Sequence, residues 1–199
     1  MTTDRQSPRP VGVIGLGAMG AGIAASLRRA GCRVHAYDIR PGVAAAFVEQ
    51  GGVACATLAD MAADCDIVVS VVVNASQTEA VLFGEGGIAS TLRPGSVFVM
   101  CSTVDPTWSA ALETRLAALG IHYLDAPISG GAAKAAAGQM TMMTAGTAAA
   151  YAACGDVLES MAGKVYRLGD RAGAGSKVKI INQLPVSYTH LTLPTILLV

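Results

Sequence analysis

An α/β fold with a doubly wound parallel sheet is what this sequence predicts, and three observations carry that reading. Short Val/Ile-rich runs recur along the chain with continuous rather than alternating hydrophobicity, as in strands covered on both faces. Ala-rich stretches of helical length separate them, giving a βαβα order. Composition agrees: of 199 residues, 52% are hydrophobic and only 14% charged, with 23 Gly and 36 Ala. The usual charged share is roughly 25%, so much of this chain is to be covered, by helices packed closely on a sheet rather than by a bulky aromatic core.

Taken in order, a polar tail over residues 1–9 precedes strands at 11–14, 33–38, 66–73, 96–100 and 121–124. Each is an apolar, β-rich run. Ala-rich helix candidates fill the gaps over 19–30, 42–50, 57–63, 75–82 and 106–119. A strand at 140–144, a helix over about 147–160 and a short strand at 164–167 complete the sheet. These elements occupy residues 10–168 as one domain, and 169–184 open a further helix.

Charge and cysteine content exclude several functional classes. Fourteen Lys+Arg balance fourteen Asp+Glu, which leaves no electrostatic footprint for nucleic acid or an anionic membrane. The cysteines, at 32, 55, 65, 101 and 154, are odd in number and contain no CxxC. Neither a disulfide framework nor a zinc site is indicated, and a reducing cytoplasm is the expected compartment. Residues 11–27 lack charge and follow Arg5 and Arg9, in the manner of a signal peptide. Glycines at 12, 15, 17, 20 and 22 interrupt the run and Arg28-Arg29 closes it, so another explanation is needed.

That explanation is Gly15-Leu16-Gly17-Ala18-Met19-Gly20, which follows the first strand and opens the first helix, with Asp38 ending the second strand. In that context GxGxxG is the Rossmann dinucleotide fingerprint. Gly15 permits the tight turn, Gly17 admits a pyrophosphate to the backbone, and Gly20 lets helix and strand pack closely. The helix N-terminus offers unpaired N–H groups and a positive dipole end to the phosphates. Asp38 is expected to accept from the adenosine ribose and repel a 2′-phosphate, favouring NAD. Arg40 would instead pair a 2′-phosphate, which keeps NADP open.

Three motifs in this order make the resemblance specific: Val13-Ile-Gly-Leu-Gly-Ala-Met-Gly20, Asp125-Ala-Pro-Ile-Ser-Gly-Gly131 and Gly173-Ala-Gly-Ser-Lys-Val-Lys179-Ile-Ile-Asn182. Over residues 11–184 the chain resembles the β-hydroxyacid dehydrogenases, which include 3-hydroxyisobutyrate, tartronate semialdehyde and L-threonate enzymes. Residues 71–84, 140–144 and 163–169 are most similar to the L-threonate branch. The resemblance implies an oxidoreductase that moves hydride between a small hydroxyacid and the nicotinamide. It makes Lys179 the general acid/base, with Asn182 orienting the substrate or the lysine. It makes 125–131 the substrate loop, and places Val73, Asn74 and Thr103 at the nicotinamide half of the cofactor. It also implies a second, all-helical domain and a homo-oligomer. A non-catalytic NAD-binding module is the reading from another class.

The residues agree with these roles. Ser129, Gly130 and Gly131 supply a hydroxyl and unobstructed backbone N–H groups able to close round a carboxylate. Alone, they would read as an ordinary glycine turn. Lys179 and Asn182 stand three apart, on one face of a predicted helix. Burial beside a cofactor would lower a lysine toward working pH. Cys101 reads as a small strand-end residue, and Met140, Met142 and Met143 as packing. His35 and His122 lack spaced ligand partners.

The family pattern stops at Leu184. Pro185 would break the helix at a cost of roughly 3 kcal/mol for an interior position. Residues 186–195 resemble a translated transposase adapter from sequencing-library preparation, so 185–199 are excluded from fold reasoning. The expectation is a chain without its second helical domain, binding NAD as an isolated module and turning over little substrate.

Overall fold

The computed structural model describes residues 9–183; the 185–199 tail and most of the N-terminal tail lie outside them. Six strands run parallel: β1 (Pro10–Ile14), β2 (Arg33–Tyr37), β3 (Val53–Ala54), β4 (Ile67–Ser70), β5 (Val97–Met100) and β6 (His122–Asp125), in the spatial order β3-β2-β1-β4-β5-β6. The chain winds outward from β1 to β3, then crosses to β4 on the other side of β1. This reversal opens a crevice at the carboxyl ends of β1 and β4, where open α/β sheets bind ligands. β7 (Ile128–Ser129), β8 (Met140–Gly146) and β9 (Ala162–Arg167) extend the sheet beyond β6; β8 lies antiparallel to β6 and β7 and parallel to β9.

Helices cover both faces, as the continuous apolar runs predict. Every residue of β4 and β5 is buried. On one face Val11, Val13, Val69 and Val99 meet α1 (Ala18–Arg29), α6 (Gly131–Ala137) and α7 (Ala148–Met161) through Ile23, Leu27, Ala135 and Leu158. On the other, Ile14, Val68, Phe98 and Met100 meet α3 (Leu58–Asp64), α4 (Ala75–Phe83) and α5 (Pro106–Ala117) through Met61, Leu82, Leu112 and Leu116. α2 (Val43–Val48) contributes Phe47 to the first core. A last helix, α8, runs over 174–183.

The sequence reading departs from the structure in three places. The run 66–73 was expected to be one long strand, yet β4 stops at Ser70. Val71 still donates its N–H to Ile14 O at 2.8 Å, after which Val72 and Val73 remain apolar because they line the crevice. Strands β3 and β7 have two residues each, too few to leave a periodicity. Finally, α6 grows directly out of the Gly130-Gly131 turn, through an Ala-rich segment that the sequence reading left as loop.

Candidate active site

The glycine turn is shaped by sterics at Gly15 and Gly20. Gly15 has φ +89° and donates its N–H to Tyr37 O at 2.9 Å, so the turn is tied to the end of β2. A Cβ on Gly20 would lie 1.8 Å from Gly15 O, which lets α1 start hard against that turn. A Cβ on Gly17 would meet nothing within 4 Å. Gly17 and Ala18 are exposed, and Met19 is half-buried.

Open space at Gly17 coincides with a missing cap. Helices α3, α4, α5 and α7 each begin with a side-chain cap, from Thr57, Asn74, Asp105 and Thr147. The twelve-residue α1 has Gly17 at its N-cap, no side-chain cap bond and no acid in its first turn. Its leading N–H groups and dipole are therefore without a side-chain cap, an arrangement that fits a pyrophosphate.

Asp38 closes the far side of the turn, and its carboxylate is already saturated. Oδ2 accepts from Leu16 N at 2.7 Å and Arg40 Nη2 at 2.9 Å; Oδ1 accepts from Arg40 N and Nε, both at 2.9 Å. Four N–H donors match the roughly four lone-pair sites of a carboxylate. The Arg40 guanidinium, ahead of the backbone donors, holds the Asp38 carboxyl well below the usual carboxylate range. Leu16, expected at the cofactor, thus has its N–H engaged by Asp38 within the protein. Gly15, Gly17, Asp38, Ile39, Val73 and Gln77 all line one cleft of about 590 Å³.

The remaining candidate residues share this edge of the sheet. The parallel register sets Tyr37, Ile14, Ser70, Met100 and Asp125 side by side in one row, and each following loop leaves from there. Asn74 uses its Oδ1 to accept from Gln77 N at 3.0 Å, while Val73 N donates to Gln77 Oε1 at 2.8 Å. The Ser102 hydroxyl donates to Val72 O at 2.7 Å and stitches the loops after β4 and β5 together; Thr103 beside it is half-buried. Gly130 and Gly131 have φ values of +135° and +77°, and Ser129 before them is half-buried. The α6 helix they start packs so closely on α1 that a Cβ on Gly22 would lie 2.7 Å from Ala136 N. The turn over 129–131 is therefore mounted on α1.

Lys179 and Asn182 lie on α8. Lys179 is 8% exposed, and among the described residues it makes no ion pair. Burial lowers its pKa from the ordinary 10.5. Asn182 is exposed on the next turn, as is Lys177 on the preceding one. Of the expected site residues, Gly15, Gly17, Asp38 and Val73 converge on the cleft, whereas Leu16, Ala18, Met19, Gly20, Asn74, Thr103, 129–131, Lys179 and Asn182 do not line it. β1 and β6 are three strand spacings apart, about 14 Å. Sequence reasoning missed the residues that tie α8 down, Asp125, Ser176 and Glu113, because their partners are distant in the chain. The bland readings of Cys101 and the methionines match the structure: Cys101 is buried, its thiol pushed up to about 12, and Met140, Met142 and Met143 are in the core.

Known proteins agree with this architecture. The family described as the NAD binding domain of 6-phosphogluconate dehydrogenase matches residues 10–169. L-threonate dehydrogenase of Cupriavidus necator is 58% identical over 176 residues, covering 88% of this chain and 59% of that protein. The Pectobacterium atrosepticum L-threonate dehydrogenase is 45% identical over 181 residues, covering 90% and 60%. A crystal structure of 3-hydroxyisobutyrate dehydrogenase from Salmonella typhimurium superposes with a TM-score of 0.85 at 42% identity, over 88% of this chain and 61% of that one. The chain spans about three fifths of the length of the curated relatives it matches. It belongs to the family of the NAD binding domain of 6-phosphogluconate dehydrogenase.

Proposed function

We propose that these residues form the cofactor-binding and proton-accepting part of an NAD-dependent dehydrogenase acting on a small hydroxyacid, L-threonate or a close sugar acid. The observation that supports this best is a buried lysine that has no carboxylate partner among the described residues, on a helix fixed to the same sheet edge as an uncapped glycine turn. When bound, the nicotinamide supplies the hydride acceptor. Lys179, neutral at lower pH than an exposed lysine, takes the hydroxyl proton as the carbinol C–H bond breaks. Asn182 orients the substrate or the lysine, and Ser129 with the N–H groups of Gly130 and Gly131 holds the carboxylate. Gly17, Ala18 and Met19 face the pyrophosphate, Asp38 the ribose, and Val73, Asn74 and Thr103 the nicotinamide half.

L-Threonate leads because the relative named for it is 58% identical. Proteins named for 3-hydroxyisobutyrate are also similar to this chain, at lower identity, so the test is a screen of L-threonate, 3-hydroxyisobutyrate and tartronate semialdehyde. In the enzyme carrying these residues, Lys179→Ala is expected to lower kcat by about 10²–10⁴-fold while NAD affinity is unchanged. Undiminished turnover would remove Lys179 from the chemistry. The oxidation rate should rise with pH over a range below 10.5, since the amine must be neutral to accept a proton and burial lowers its pKa.

A further inference from the structure

We infer that Asp125, acting through Ser176, is a positioning residue that sets where the Lys179 amine stands; the inference rests on the reading of Lys179 as the base. Asp125 closes β6 and is fully buried. Its Oδ2 accepts from Gly173 N and Ser176 N, both at 2.9 Å, and its Oδ1 accepts from the Ser176 hydroxyl at 2.6 Å. Among the described residues no Arg or Lys pairs with it. A second carboxylate joins from α5, where Glu113 accepts from Ala172 N and Arg171 Nε, both at 3.2 Å.

This is an unusual way to begin a helix. The caps of α3, α4, α5 and α7 come from the residue just before each helix. The carboxylate at the start of α8 comes from 48 and 51 positions away in sequence. A local cap would stabilise helical backbone equally well; only a cap from the sheet also fixes where the helix lies. Gly175 completes the fixation, since a Cβ there would lie 2.5 Å from Met143 O and 3.0 Å from Asp125 O. Lys179 follows Ser176 by three residues and shares its face.

Asp125 acts here through geometry. Desolvation is what lowers Lys179, with no carboxylate contributing. If the first turn of α8 is released, the amine gains water and titrates at higher pH.

The test needs no turnover. Acylation of individual lysines in the folded chain, followed across pH by peptide mass spectrometry, gives a titration midpoint for Lys179, with exposed Lys177 on the same helix as internal control. In the unaltered protein Lys179 should titrate below Lys177. In Ser176→Ala and Asp125→Asn its midpoint should move up toward that of Lys177, while Lys177 stays in place and NAD affinity is unchanged. Ser176→Thr, which keeps the hydroxyl, should restore the low midpoint. Should Asp125→Asn fail to fold, Ser176→Ala still decides, because it removes only the 2.6 Å bond. A midpoint unmoved in a folded variant whose Tm has fallen would make the anchor purely structural and overturn the inference. A Lys179 midpoint equal to that of Lys177 in the unaltered protein would overturn the reading of Lys179 itself, and the inference with it.

Discussion

The cofactor cleft and the lysine helix stand on the same row of strand ends but are held in different ways. The cleft is held locally: a turn, a helix start and the end of a neighbouring strand, joined by the Gly15–Tyr37 backbone bond and by the Asp38 carboxylate on Leu16 N, within 22 residues of chain. The lysine helix is held by side chains, from Asp125 and Glu113, up to 59 residues away. The first arrangement is preformed by local sterics, and the second exists only once β6, α5 and α8 have docked. Substitutions in the two regions should therefore separate cofactor binding from lysine chemistry.

Gly20→Ala should have the largest effect. Its Cβ would lie 1.8 Å from Gly15 O, and backbone on both sides cannot yield as a flexible side chain would. A loss of about 3 kcal/mol is expected, together with NAD affinity, read by thermal denaturation and calorimetric titration. Unchanged NAD affinity would mean that the turn is not the phosphate site.

Gly175→Ala is the corresponding experiment on the other region. Met143 O stands 2.5 Å from the new Cβ, so a loss of about 1–3 kcal/mol is expected. Here NAD affinity should be retained while the Lys179 labelling midpoint moves. A joint loss of both properties would show that the two regions are mechanically one.

This contrast also accounts for what could be read from the sequence. Five of the six parallel strands, the glycine turn and Asp38 were legible because each signal is local: continuous apolar runs, GxGxxG spacing and an acid at the end of the second strand. Lys179 and Asn182 were legible through a motif, and their shared face followed from helical spacing. Asp125 stood within a quoted motif, yet its function depends on Gly173 and Ser176, which no periodicity connects to it. Val72 and Val73 misled the strand assignment because a cleft wall is as apolar as a sheet interior. The Arg40 pairing with Asp38 was invisible for another reason: the sequence offered Arg40 to a ligand, whereas the structure gives it to the neighbouring carboxylate.

Asp38→Ala should have a smaller effect than Gly20→Ala. It strips the acceptor from the Leu16 N–H, for a cost of about 1–3 kcal/mol. The pH dependence carries the sign. Because the folded carboxyl is held below its ordinary 3.8, its contribution is fully present above that value and is lost as pH falls toward the lowered one. Denaturant titrations of the unaltered protein should show stability falling as pH drops below 3.8, and the variant should lack that component.

Arg40→Ala, the smallest change, tests what the cleft selects. Two of the four donors on Asp38 belong to the Arg40 side chain, and a ribose diol needs those same lone pairs. Arg40 is largely exposed, with its side chain at 58% against 5% for Asp38, so removing it should disturb the fold little. If its present role is to occupy Asp38, the substitution frees two acceptor sites and NAD should bind modestly tighter, with NADP still repelled by the carboxylate. If instead the guanidinium leaves Asp38 to meet a 2′-phosphate, NADP affinity should fall selectively and NAD affinity should hold. Parallel titrations with the two cofactors separate these outcomes, because the first moves only NAD and the second only NADP.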